Sequence, residues 1–272
     1  MPQLFYGHIL VEGVRIQYYR TGGQKPPIIL LHGLSDNALC WNRLPLVLEV
    51  EFDVILMDAR GHGSSGLDER GASPLVQAQD VCTLIETLQL HRPILIGHSM
   101  GAVTAALAAA QLPKVVRGVV LEDPPWREIG GNDGAQREKK LTDWREWLSS
   151  LKQKSLEEII AEGKRQNPMW DESEFFQWAK AKQQVKLEAL DWILQPQPDW
   201  PEIVRQIACP GLIITGKPEL GAVLTPPVIR QIEKLWRKSK TVRIAAAGHN
   251  VHREAYMNFL REVAAFIKRL GK

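Results

Sequence analysis

Cysteine is scarce in this chain: Cys40, Cys82 and Cys209 are the three among 272 residues, far apart and odd in number. That excludes a disulfide framework and the paired spacing of a thiolate metal site, and it predicts free thiols in a reducing compartment. No run approaches the roughly 18 consecutive apolar residues that a membrane-spanning helix needs. Charge of one sign is also missing. Lys and Arg number 34 against 31 Asp and Glu, a net +3, with the two signs interspersed, so neither nucleic acid nor an anionic membrane is an expected partner. Residues 1–8 carry no basic start leading into an apolar segment, and the expectation is therefore a cytoplasmic protein without a secretory signal. No metal-ligand spacing is present either: His249 and His252 stand three apart, and neither opens an H-E-x-x-H pattern.

What is present is the patterning of an α/β protein. Ile9, Val11, Val14, Ile16 and Tyr18 alternate with polar residues around Glu12-Gly13, which predicts an antiparallel hairpin. Four short apolar runs follow, at 28–31, 54–57, 94–96 and 119–121, without alternation, as in parallel strands buried on both faces. Helix-length stretches separate them. In Ser73 to Leu90, for instance, Val76, Val81, Leu84, Ile85 and Leu88 recur at helical spacing. The expected fold class is α/β, a doubly wound and mostly parallel sheet.

After Asp123 the strand signal stops for about eighty residues of helical period, rich in tryptophan. Strands resume at 212–214 and 242–244, and an amphipathic helix closes the chain. The predicted organisation is a core formed by residues 1–123 and 209–272, with a helical cap, 124–208, inserted between two strands.

The residues that carry chemistry begin with Gly97-His98-Ser99-Met100-Gly101, directly after one predicted strand and directly before an alanine-rich helix. A G-x-S-x-G turn in that setting presents its serine on a sharp bend above a helix N-terminus, where partial positive charge favours an oxyanion. A serine hydroxyl needs a neighbouring base near neutral pH, and histidine supplies one. Of the seven histidines, His8 and His91 lie away from the strand-end loops, His32 and His62 belong to glycine turns, and His98 is held beside the serine. His252 starts a helix, which leaves His249, in Gly248-His249-Asn250 after the last predicted strand, as the candidate base.

These motifs resemble those of the α/β-hydrolase superfamily over nearly the whole chain. Leu30-Leu31-His32-Gly33-Leu34 resembles the family's His-Gly turn, and the D-x-R-G-x-G-x-S run at 58–65 resembles its structural loop. The resemblance implies a serine hydrolase with Ser99 as nucleophile, His249 as base, and the backbone amides of Leu34 and Met100 as oxyanion donors. For the acid it offers two places. One is the loop after the strand that follows the cap, where Glu219 stands three residues past Gly216, although Lys217 occupies a position where some relatives carry aspartate. The other is the end of the strand before the cap, which offers Asp123 with Glu122 beside it. Either carboxylate would hold the imidazole tautomer.

The implied activity is cleavage of a small apolar or acyl-bearing ester or lactone, N-acyl homoserine lactones among them, with no cofactor and no metal. Trp126, which follows the strand end at Asp123, and Trp41, near the oxyanion turn, are candidate substrate contacts. Lys182, Lys186 and Arg165 read as a solvated helix face. The alternative to an enzyme is a hormone-receptor-like or degenerate binding module with the same fold and little turnover. Oligomeric state leaves no mark in the sequence.

Overall fold

Among the described residues, eight strands form a single sheet in the order β1-β2-β4-β3-β5-β6-β7-β8. They are β1 (Phe5–Val11), β2 (Val14–Arg20), β3 (Pro27–Leu31), β4 (Asp53–Met57), β5 (Ile94–His98), β6 (Gly118–Glu122), β7 (Gly211–Thr215) and β8 (Ser239–Arg243). This is a computed structural model, and it describes residues 3–128 and 134–271. Met1, Pro2 and residues 129–133 of the expected cap lie outside the described residues. The hairpin β1/β2 turns at Glu12-Gly13, both with positive φ, and pairs Val11 with Val14. Pairing of β1 with β2 and of β2 with β4 is antiparallel, and every other pairing is parallel.

The inner parallel strands β3 to β7 read as largely apolar runs because both faces are covered, and successive side chains go to opposite faces, whereas the edge strand β8 is polar and partly exposed. Ile29, Leu31, Ile55, Met57, Leu95 and Leu121 pack into a cluster on one face. Their neighbours Ile28, Leu30, Val54, Leu56, Ile96 and Val120 pack into the cluster on the other. The α-helices among the described residues are α1 (Leu44–Leu48), α2 (Pro74–Thr87), α3 (Met100–Gln111), α4 (Gly134–Lys152), α5 (Leu156–Gln166), α6 (Glu174–Gln184), α7 (Trp200–Gln206), α8 (Pro226–Leu235), α9 (Val251–Glu254) and α10 (Tyr256–Leu270). Residues from α2, α3, α7 and α8 join the first cluster, and α1 and α10 supply the second.

Between β6 and β7 the described chain is helical. Its helices α4, α5 and α6 share a cluster of their own built on Leu148, Leu151, Ile159, Phe175 and Trp178. The end of this stretch departs from the expected boundary at 208. Ile203 and Val204 of α7, with Ile207 after it, pack in the same core cluster as α3, because their spacing forms an apolar stripe that fits the sheet side. Among the described residues no helix is long and apolar enough to cross a membrane.

The loop at 58–65 acts as a brace. Arg60 is 1% exposed and reaches Asp80 on α2 through Nε at 2.6 Å and Nη2 at 2.8 Å, with Asp68 at 3.1 Å from Nη1. Asp58 accepts from the amides of Ala38 and Ser64 at 2.7 and 2.9 Å, which ties the loop after β4 to the loop after β3. Removing one member of a buried ion pair strands the other, at a cost of about 3–5 kcal/mol. Arg60→Met is therefore expected to lower the urea midpoint by a stability loss of that order, measured by equilibrium unfolding, while Asp68→Asn has a much smaller effect.

Candidate active site

The chain reverses its direction of growth across the sheet at β3, moving first to β4 and then to β5 on the other side. Crevices at the carboxyl ends of such strands are where open α/β sheets place ligands. Four candidate residues lie in loops at these ends: Leu34 after β3, Ser99 after β5, Asp123 after β6 and His249 after β8.

Ser99 has φ 52° and ψ −114°, a backbone conformation that non-glycine residues rarely adopt, and its N–H donates to the Glu122 carbonyl at 2.9 Å. The bend requires glycine on either side. A Cβ on Gly97 would collide with the Gly101 carbonyl, and one on Gly101 with the Leu31 carbonyl, so strand β5, helix α3 and strand β3 meet almost backbone to backbone. Met100 opens α3, where first-turn amides have no intrahelical acceptor. The amides of Leu34 and Met100 donate to no protein acceptor among the described residues. The turn that holds Leu34 is fixed by His62, whose Nε2 accepts from Ser35 N–H at 3.2 Å and whose Nδ1–H donates to the Arg60 carbonyl at 2.8 Å. Burial pushes the His62 imidazole down to about 3, which keeps it neutral and able to accept.

His249 lies between two partners. Its Nε2 is 2.9 Å from Ser99 Oγ and its Nδ1 is 2.6 Å from Asp123 Oδ2. Asp123 is fully buried and accepts three further bonds: from Thr215 Oγ1 at 2.6 Å, Val223 N–H at 2.7 Å and Leu224 N–H at 3.2 Å. Burial alone would raise this carboxyl, but the His249, Thr215 and Val223 hydrogen bonds outweigh it and hold the pKa below the ordinary value. A permanent carboxylate on Nδ1 fixes the tautomer in which Nε2 faces the serine as an acceptor. Such a chain can take the Ser99 proton as the oxygen attacks an electrophile and return it to a leaving group.

Of the acids open in the sequence, Asp123 is the one brought to His249. Glu219 is not: it lies exposed in the short turn Pro218–Leu220, with no hydrogen bond or ion pair to any described residue. That corrects the expectation for this loop, and the reason is local. Proline at the turn's start and Gly221 at its end, with φ 100°, carry the side chain outward and turn the amides of Val223 and Leu224 toward Asp123. The loop contributes backbone donors where a carboxylate was expected.

Glu122 pairs with a different histidine. His252 donates from its backbone N–H to Oε1 at 2.8 Å, and its Nδ1 lies 2.9 Å from both carboxylate oxygens. Burial raises the Glu122 carboxyl to about 7 and depresses the His252 imidazole. With His98 these two form a buried group whose ligand-type atoms lie within 4.8 Å of one another, a juxtaposition that spacing along the sequence could not reveal. Hydrogen bonds already engage it: His98 Nε2–H donates to the His249 carbonyl at 3.1 Å, and Glu122 is committed to His252. The group therefore stands as a buttress behind His249.

A cavity of about 390 Å³ opens over Ser99 and His249, walled by Leu34, Trp144, Trp178 and Trp192 among others. Neither tryptophan expected to meet substrate lines it. Trp41 is buried behind the oxyanion turn, 4.5 Å from the His252 ring and 6.2 Å from Phe259. Trp126 stacks on Trp200 at 5.6 Å and lines a neighbouring cavity of about 400 Å³. Lys182 also departs from expectation, being 2% exposed instead of solvated. Its Nζ donates to Ser35 O and Oγ and to Asp36 Oδ1, at 2.9, 3.0 and 3.0 Å. Arg253 binds the other oxygen of Asp36 at 3.0 Å, so one carboxylate clasps α6 to the core beside the oxyanion turn. The signal for Lys182 was its place on the face of α6 that carries Phe175, Trp178 and Ala179.

Asp123→Asn is expected to lower kcat by about three to four orders of magnitude, as loss of the correct tautomer does in a serine–histidine–carboxylate chain. Glu219→Gln should leave kcat unchanged. Steady-state kinetics on one activated ester would measure both.

Residues 28–262 match the model of the alpha/beta hydrolase family. The chain is 29% identical over 273 residues to the sn-1-specific diacylglycerol lipase ABHD11 of Xenopus tropicalis, covering 92% of this chain and 80% of that protein. Over a shorter span of 104 residues it is 38% identical to 2-(acetamidomethylene)succinate hydrolase of Mesorhizobium japonicum, covering 38% of this chain and 37% of that one. The solved structure of E-2-(acetamidomethylene)succinate hydrolase superposes with a TM-score of 0.81 at 22% identity, covering 98% of this chain and all of the other. The topology agrees with these likenesses: the chain belongs to the alpha/beta hydrolase family and is a hydrolase.

Proposed function

We propose that the chain hydrolyses carboxylic esters, lactones included, through an acyl-enzyme on Ser99. His249 Nε2 takes the hydroxyl proton as Oγ adds to the substrate carbonyl, and the resulting oxyanion rests on the amides of Leu34 and Met100. His249 then protonates the leaving alcohol, and Asp123 stabilises the imidazolium between the two transfers. Water, deprotonated by the same nitrogen, releases the acid and restores Ser99. Nucleophile, base and oxyanion donors all belong to the chain, so the sequence of steps calls for no cofactor.

The observation that carries this reading is the unbroken hydrogen-bond chain from Asp123 through His249 to Ser99, at 2.6 and 2.9 Å. The names of the relatives are in keeping with it, one being a lipase. We read the helical stretch between β6 and β7 as a cap whose side chains select the substrate, since five of its tryptophans, 144, 147, 170, 178 and 192, wall the cavity above the serine. A degenerate scaffold would leave the base without a carboxylate, whereas Asp123 Oδ2 lies 2.6 Å from His249 Nδ1, which supports turnover.

Release of p-nitrophenol from p-nitrophenyl butyrate tests the reading. The expected outcome is steady turnover by the wild type, with a loss of at least about a thousandfold in Ser99→Ala. A burst without a steady state would point to the receptor-like alternative, and absence of acylation to a degenerate scaffold.

A further inference from the structure

The oxyanion turn contains a residue under strain. Ser35, directly after Leu34, has φ 67°, in the left-handed region that residues other than glycine rarely adopt. Gly33 to Asp36 form a tight turn closed by the Asp36 N–H, which donates to the Gly33 carbonyl at 3.1 Å. That carbonyl and the Leu34 N–H belong to one planar peptide, so whatever holds the carbonyl also aims the N–H, in the opposite direction. His32 Nδ1–H gives the same carbonyl a second bond at 2.8 Å, while its Nε2 accepts from Ala59 N–H at 3.0 Å. The direction of the Leu34 N–H therefore depends on the turn staying closed, with Ser35 in its unfavourable conformation.

What holds Ser35 there comes from a distant part of the chain. Lys182 on α6 is 2% exposed, and its ammonium has three N–H donors. All three point at this turn: at Ser35 O, at Ser35 Oγ and at Asp36 Oδ1, from 2.9, 3.0 and 3.0 Å. From the other side, His62 Nε2 accepts from the Ser35 N–H. The amide and the carbonyl of one strained residue are thus each held by a buried side chain.

Docking of α6 does not rest on this lysine alone. Asn42 Nδ2 donates to Ser173 O at 2.6 Å just before the helix, and Asn37 Nδ2 donates to Gln184 Oε1 at 2.8 Å at its end. Glu174, in its first turn, lies 3.5 Å from Arg253 Nε and 3.9 Å from Arg43 Nη1. A buried ammonium is costly to desolvate, and an apolar side chain would seat a helix at least as well. The charge at 182 makes sense where its three donors are needed at particular points.

We propose that Lys182 is a positioning residue for the reaction at Ser99. From the helical stretch between β6 and β7 it holds Ser35 and Asp36 in place, and so keeps the Leu34 N–H aimed at the carbonyl oxygen that gains charge when Ser99 Oγ adds. Trp178, on the same helix, walls the cavity, and the Lys182 ammonium lies 5.0 Å from the centre of its ring. One helix then both shapes the substrate wall and sets an oxyanion donor. This deepens the reading of Leu34 as such a donor and rests on it.

The test pairs steady-state hydrolysis of p-nitrophenyl butyrate with inhibition by 1,1,1-trifluoro-2-hexanone, whose hemiketal with Ser99 carries the oxyanion. Lys182→Met is expected to lower kcat by about a hundredfold with KM unchanged, the scale of one misplaced oxyanion donor, and to weaken the ketone by the same factor. Glu174→Gln is the control: it removes an ion pair between α6 and the core but touches no residue of the turn, and kcat, KM and ketone affinity should stay as in wild type. Full kcat in Lys182→Met, a change confined to KM, or an equal loss in Glu174→Gln overturns the proposal. Should thermal unfolding show that Lys182→Met does not fold, Lys182→Gln, which keeps a donor for the Ser35 carbonyl, is read in the same way with a loss of about tenfold. A wild type that cleaves no ester fails the esterase reading alone, and the ketone then decides. Its hemiketal, seen by fluorine NMR in wild type and weakened in Lys182→Met, sustains the positioning role; a hemiketal equally stable in both, or formed in neither, overturns it.

Discussion

One buried carboxylate organises the site. Asp123 sits at the end of β6 with positive φ and no exposure, and it accepts hydrogen bonds from three separate stretches of chain: Thr215 ending β7, the amides of 223–224 in the following loop, and His249 after β8. A carboxylate in this position is tolerable only because every donor is in place. The loops that carry those donors are in turn fixed by the same carboxylate. The orientation of His249, and through it the reach of Nε2 to Ser99, follows from that mutual dependence.

The sheet supplies the rest of the geometry. β3, β5 and β6, buried on both faces, pair side by side in parallel register, and β8 pairs with β7 at the sheet edge, so their following loops come out at one end of the sheet. Ser99, half-buried, has a strained backbone held by the close approach of β3 and α3 that the two glycines permit. Behind His249, the buried group of His98, Glu122 and His252 offers the loop a hydrogen-bonded backing instead of a soft apolar one. In front of it the clasp of Asp36 with Lys182 and Arg253 draws α6 down beside the oxyanion turn. The walls of the cavity are therefore tied to the loops that follow β3 and β8.

Much of this was legible in the residues. The period-two hairpin and the continuous apolar runs each have a local physical cause, and strands stand in the structure at those positions. The placement of Ser99 and His249 at strand ends was legible because a glycine-flanked bend and a strand-end histidine are signals carried by neighbouring residues. Which carboxylate faces His249 was not, because two loops distant in sequence offered one and the turn geometry of 218–221 turns Glu219 outward. Trp41 and Trp126 do not line the cavity over Ser99 for a related reason: nearness in sequence to a site residue says nothing about which side of the loop a ring packs on. Lys182 was read from its charge when its place on an apolar helix face was the better guide. The cluster of Glu122 with two histidines is assembled from three segments and left no trace in spacing.

The account stands on the bond between Asp123 and His249, and proton NMR of the enzyme with labelled histidine measures it most directly. A bond of this kind between a buried carboxylate and an imidazole gives a strongly deshielded ring N–H signal, which the account assigns to His249 Nδ1 and expects to vanish in Asp123→Asn. Absence of such a signal from His249 in the wild type, or its persistence on His249 in that variant, would contradict the account, whereas a signal from His252, bonded to Glu122, has no bearing on it.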